Sequence, residues 1–149
     1  MKAVSESTWT FQMIIFFILI FACFLTLVLS YNKAYTIKNR MLNIIEKYEG
    51  ITPTSAEIIN DFISNKGYTN KGKCPESWMG AINLQGDFEI AKDNNDYYYC
   101  FKEGSRNKQV YYDIEVFYKF NLPVIGNIAN YKIDGTTKTF IGSIERIKE

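Results

Sequence analysis

The stretch from Phe11 to Leu29 constrains everything else in the chain. It is 19 residues long, and only Gln12 and Thr26 in it are polar. A helix needs about 20 apolar residues to cross bilayer hydrocarbon. A buried core helix would need protein on every side, and a chain of 149 residues leaves too little to build that shell. The run therefore predicts a transmembrane helix. A cleaved signal peptide fits less well. Its start, MKAVSESTWTFQ, carries one Lys and one Glu, the apolar run is long, and no A-x-A site follows. Ile20-Phe21-Ala22-Cys23 faintly resembles a lipoprotein cleavage box, but Phe21 is bulky and more apolar residues follow the cysteine. The expected plan is a tail over 1–10, an uncleaved span over 11–30, an amphipathic extension over 31–50 and a small α+β domain over 51–149.

The extension follows from periodicity. Ala34, Ile37, Met41, Leu42, Ile44, Ile45 and Tyr48 recur at spacings of three and four, with Lys38, Asn39, Arg40, Asn43, Glu46 and Lys47 largely opposite. No Pro or Gly lies between Trp9 and Glu49, and Gly50 supplies a stop. One continuous helix of about 40 residues, about 60 Å long, is predicted. A second helix begins at a T-x-x-E box, Thr54 and Glu57, after Pro53, and ends at Gly67. Its apolar face is Ala56, Ile58, Ile59, Phe62 and Ile63.

Beyond Asp87 the period changes to two. DFEIAKD and YYYCFK flank a turn at Asn94-Asn95-Asp96, and Trp78 to Leu84 has room for a short element. QVYYDIEVFYKF alternates, with Val110, Tyr112, Ile114, Val116, Tyr118 and Phe120 on one face and Tyr111, Asp113, Glu115, Phe117 and Lys119 on the other. Pro123 and Gly126 break it, and a last strand or hairpin centres on Asp134-Gly135. Three to five antiparallel strands need a cover, which the amphipathic helix and the second helix supply.

Chemistry is sparse. The chain has no histidine, which removes His-based triads, proton shuttles and metal sites. Seventeen Lys+Arg against 16 Asp+Glu give no basic excess for nucleic acid. Asp113 and Glu115 point the same way from one strand, which is the pattern of a solvated face. Asp93 to Asp96 lacks calcium-loop spacing and reads as a turn. No glycine spacing cradles phosphate, and no nucleophile arrangement stands out. No catalytic residue, cofactor or metal is expected. Tyr97, Tyr98, Tyr99, Tyr111, Tyr112 and Tyr118 crowd the sheet, for packing, a protein interface or a ligand platform.

Cys74 and Cys100 are the cysteines outside the span and form the expected disulfide, which places the domain outside the cytoplasm. Lys33, Lys38 and Arg40 after the span pull the other way by the positive-inside rule. The extracytoplasmic orientation is preferred. Ala22, Cys23 and Thr26 are the smallest residues in the span and mark the expected helix-packing stripe.

An apolar helix running into an amphipathic one and then a small sheet is the plan of pilins. The run to Leu29, SYNKAYTIKNRMLNIIEKYEG and the closing VYYDIEVFYKFNLPVIGNIANYKIDGTTKTF resemble TadE-like pseudopilins, pilin-like minor components of tight-adherence pili. The likeness covers the N-terminal third and about the last quarter. Pilin-type starts carry a small processing residue and a Glu; Ala3 and Glu6 are the candidates here, with Glu6 in the polar tail. The resemblance implies a structural or assembly component of a pilus or secretion apparatus. Its partners would be the lipid bilayer and other pilin-like or secretion-apparatus membrane subunits, in a homo- or hetero-oligomer. The alternative is a membrane-anchored binding or sensor module.

Overall fold

A computed structural model describes the backbone over 2–122 and 126–141, and side chains over 7–120, 126 and 129–141. Helix α1 spans Lys2–Lys47 without interruption, 46 residues. The expected tail is therefore mostly helical. The helix ends where Glu49 takes φ 52° and Gly50 φ 143°, with the Gly50 N–H on the Ile45 carbonyl at 2.9 Å. Helix α2, Pro53–Asn65, is capped at Thr52, two residues before the expected Thr54. Pro53 occupies the first helical turn, so Thr52 is the cap. Thr52 Oγ1 accepts from the Ser55 N–H at 3.1 Å, and Ser55 Oγ accepts from the Thr52 N–H at 2.8 Å. Gly67, at φ +58°, follows the last turn as expected.

Five strands follow: β1 Met79–Ala81, β2 Phe88–Ile90, β3 Tyr99–Arg106, β4 Gln109–Leu122 and β5 Gly126–Thr136. They form one antiparallel sheet in the order β2-β1-β3-β4-β5. DFEIAKD and YYYCFK do not pair across the Asn-rich turn, because β1 lies between them: Gly80 stands opposite Glu89 on one side and Cys100 on the other. Of the strand or hairpin expected around Asp134-Gly135, the strand is what forms. β5 runs straight through, and Gly135 sits opposite Ile114 where α1 crosses. A Cβ there would come within 3.0 Å of the Lys38 side chain and 3.1 Å of Leu42, so glycine serves close approach instead of a turn. The true tight turn joins β3 to β4 at Asn107-Lys108, both at positive φ (52° and 65°). Between β4 and β5 the register shifts at Phe120/Asn121. Pro123 and the side chains of Ala3 and Glu6 lie outside the described residues.

The core sits between the second half of α1, α2 and the front of the sheet. Ala34, Ile37, Met41, Ile44 and Ile45 are buried against Tyr99, Phe101, Tyr112, Ile114 and Val116, with Ala56, Ile59 and Ile63 of α2 closing one end. The expected apolar faces of both helices are thus the ones buried, and the strand alternation of β4 selects the residues beneath them. The result is an α+β chain: one long helix with an apolar first half, and a small five-stranded sheet.

Candidate functional site

The first half of α1 is the outstanding surface. Among the described residues it is the one helix long and apolar enough to cross a membrane, within Ser7–Lys47, and none of its most apolar window is buried. Large side chains stand exposed along it from Trp9 to Leu29. Monomeric soluble proteins rarely expose so continuous an apolar patch. Exposure falls along one face of the helix. Phe16 is 57% and Leu19 46% exposed. Cys23, Thr26 and Ser30, at helical spacing on the same side, are half-buried. Ala34, one turn further, is 1% exposed. The expected packing residues sit here: Ala22, Cys23 and Thr26 are all half-buried, Thr26 Oγ1 donates to the Ala22 carbonyl at 2.9 Å, and Cys23 is a free thiol.

Where the helix leaves the apolar run, four tyrosines meet. Tyr31 and Tyr35 stack on α1 at 6.0 Å between ring centroids. Tyr31 meets Tyr118 of β4 edge-on at 5.8 Å, and Tyr118 stacks on Tyr131 of β5 at 5.3 Å. Lys38 lies 4.6 Å over the Tyr35 ring, and Lys33 donates to the Gly67 carbonyl at 2.8 Å. The i, i+4 spacing of Tyr31 and Tyr35 was visible in the sequence. Their meeting with Tyr118 and Tyr131 was not, because it depends on the direction in which α1 crosses the sheet.

The other tyrosines sort by burial. Tyr97, Tyr99 and Tyr112 are core residues. Tyr99 donates to Asn60 Oδ1 at 2.9 Å and Tyr112 to Glu103 at 2.7 Å. Tyr98, Tyr111 and Tyr118 stay half-buried. Burial pushes the Tyr99 hydroxyl far above its ordinary value, so it stays protonated and donates at any working pH.

The back of the sheet corrects one expectation. Asp113 and Glu115 do share a face, but that face is not fully solvated. Glu115 is 5% exposed and its Oε1 accepts from Lys132 Nζ at 2.7 Å. Its Oε2 has no partner among the described residues. The reason is the segment after α2, which straps across the sheet. Gly72 bridges to Tyr97, and a Cβ on Gly72 would fall 2.4 Å from the Phe117 ring. Tyr68 hydroxyl accepts from the Phe117 N–H at 2.9 Å, where β3 no longer reaches β4. Cys74 and Cys100 fasten the same strap, with Cα atoms 5.6 Å and sulfurs 2.01 Å apart. Asp113 accepts from Thr136 Oγ1 at 2.6 Å. The Asp93–Asp96 segment is a turn, held by Lys73 on the Asp93 carbonyl and by Lys73 with Asp96 at 3.9 Å. No group of three metal-ligating side chains occurs among the described residues.

The fold and this surface define a class: an α+β chain whose sheet is covered by the continuation of a membrane-length helix. No known family model, curated protein or solved structure matches the chain.

Proposed function

We propose that this chain is a single-pass, pilin-like membrane subunit, a structural or assembly component of a pilus or secretion apparatus, with no catalysis of its own. One observation carries the reading. A single unbroken helix is bare and apolar in its first half and seals a small antiparallel sheet with its second. Such a helix couples a folded domain rigidly to the bilayer, which suits a subunit that must be held, packed and moved as a unit. The resemblance to TadE-like pseudopilins supports the same reading. The Cys74–Cys100 pair favours an extracytoplasmic domain, where disulfides persist. Subunits would pack laterally through the span, with Ala22, Cys23 and Thr26 on the contact stripe, since association in lipid rests on close fit at small and polar residues.

Crosslinking in native membranes, followed by purification and mass spectrometry, tests this. Recovery with a secretion-type ATPase, a polytopic platform protein and other one-span subunits supports it. Recovery alone, or with an unrelated receptor, overturns it.

A second reading, an anchored binding module, draws on an open cleft of about 720 Å³ between the start of α2 and the β1–β2 hairpin, lined by Glu57, Met79, Asp87 and Glu89 among others. Ligand-dependent melting would favour it.

A further inference from the structure

The disulfide joins two different surroundings. Cys100, in β3, is wholly buried, while Cys74, in the strap, is half-buried. The β3–β4 register sets Cys100 directly opposite Glu115. Residues opposite one another on antiparallel strands share a face, with Cβ atoms about 4.5–5.5 Å apart. Glu115 is buried on that face. Its Oε1 accepts from Lys132 Nζ at 2.7 Å, and its Oε2 has no partner among the described residues. A buried carboxylate is thus the cross-strand neighbour of the buried cysteine, and one of its oxygens is still open to a donor.

The other charges on this face do not cancel it. Lys132, on β5, is half in water, and Asp134 of the same strand stands opposite Glu115. Lys102, two residues along β3 from Cys100, is exposed and stands opposite Asp113. In the strap, Lys73 is engaged with the Asp93 carbonyl and with Asp96.

Thiol–disulfide exchange depends on which sulfur can be reached and on how well the other one leaves. Cys100 is closed to an incoming thiolate, so attack falls on Cys74. The new bond forms at Cys74 Sγ and the Cys74–Cys100 bond breaks. Its electron pair departs on Cys100 Sγ, which then takes a proton from water. A second thiolate displaces Cys74 and carries away the external disulfide. The first step leaves a thiolate in a buried site beside a carboxylate. Burial and a like charge both disfavour that anion. Once protonated, the Cys100 thiol faces an open acceptor in Glu115, which again favours thiol over thiolate. A poorer leaving group departs more slowly.

We infer that Glu115 guards the disulfide. External thiols, whether small molecules or those of a thiol oxidoreductase, enter at Cys74 alone, and the buried carboxylate makes Cys100 a poor leaving group. The strap over Phe117 thereby stays closed where thiols are present. Glu115 exerts this effect by its charge, through Cys100.

The test uses the full chain in detergent micelles, with Cys23 first blocked by N-ethylmaleimide. Dithiothreitol is added at several concentrations at fixed pH, and newly freed thiols are followed by alkylation and mass spectrometry. The slope of rate against concentration reports attack on the folded chain. Glu115→Gln is expected to raise that slope about 3–10-fold. Glu115→Asp keeps the charge and should stay close to the parent. Lys132→Met loosens the same face but removes the counter-charge, so it should be reduced no faster than the parent. An unchanged or smaller slope for Glu115→Gln overturns the proposal. So does an equal rise for Glu115→Asp, or a rise for Lys132→Met, because Glu115 would then matter only for packing.

Discussion

At residue scale, the Glu115–Lys132 pair shows how burial changes the worth of a charge. The carboxylate is almost wholly buried while the Lys132 side chain is half in water. Removing the lysine leaves a buried acceptor without its donor, which costs about 1–3 kcal/mol. Lys132→Met is expected to lower stability by that amount in urea unfolding. Adding Glu115→Leu should recover most of it, because replacing both partners with apolar groups removes the desolvation cost. Glu89 supplies the pH-sensitive counterpart. Hydrogen bonds from the Tyr97 hydroxyl (2.7 Å) and the Asn95 amide (2.6 Å), helped by Lys92, hold its carboxyl below the ordinary range. A depressed acid contributes fully above its unfolded value, about 4.3, and loses that contribution as pH falls through the folded one. Amide exchange at Lys92, whose N–H donates to the Tyr97 hydroxyl at 3.0 Å, should therefore speed up on acidification below about pH 4, relative to other amides. Tyr97→Phe should flatten that response.

At the scale of elements, α2 and the strap behind the sheet carry the sharper expectations. The cap is Thr52 and not Thr54, so Thr52→Ala should cost about 1 kcal/mol and Thr54→Ala almost nothing, read from paired melting curves. The T-x-x-E spacing pointed to Thr54, and the cap fell on Thr52 because Pro53 lies inside the helix. The strap is held by Cys74–Cys100 across 26 residues of sequence. Reduction should lower stability by about 3 kcal/mol, seen as a drop in the urea midpoint. It should also raise the exposure of Phe117 and Glu115 to water. Alternation along β4 correctly identified Tyr112, Ile114 and Val116 as the helix-facing set. It misjudged the other face, because period two reports which residues share a side and not what lies over that side. Likewise the D-G pair left a strand or a hairpin open, and the glycine answers to a helix that packs over the strand from 93 residues earlier, at Leu42.

At the scale of the whole molecule, α1 belongs to two environments. Its first half is long and apolar enough to cross a membrane, where hydrocarbon would offer backbone groups no partners outside the helix. Its second half is held by the sheet. Met41→Ala, at a fully buried position, should destabilise the domain by about 2–5 kcal/mol. In vesicles the chain should then unfold the sheet while keeping the helical signal of the span, which circular dichroism against urea would resolve. What the sequence determined by itself was set by local pattern: the apolar run, the amphipathic continuation, the stop at Gly50, the second helix and the strand alternation. Each is a matter of period and composition within a few turns of chain. The tertiary structure alone decided which strands are neighbours, that β1 separates β2 from β3, that a strap buries Glu115, and that Tyr31 of α1 meets Tyr118 and Tyr131 of the sheet. Those outcomes depend on contacts between residues distant in sequence, whose geometry no local period contains.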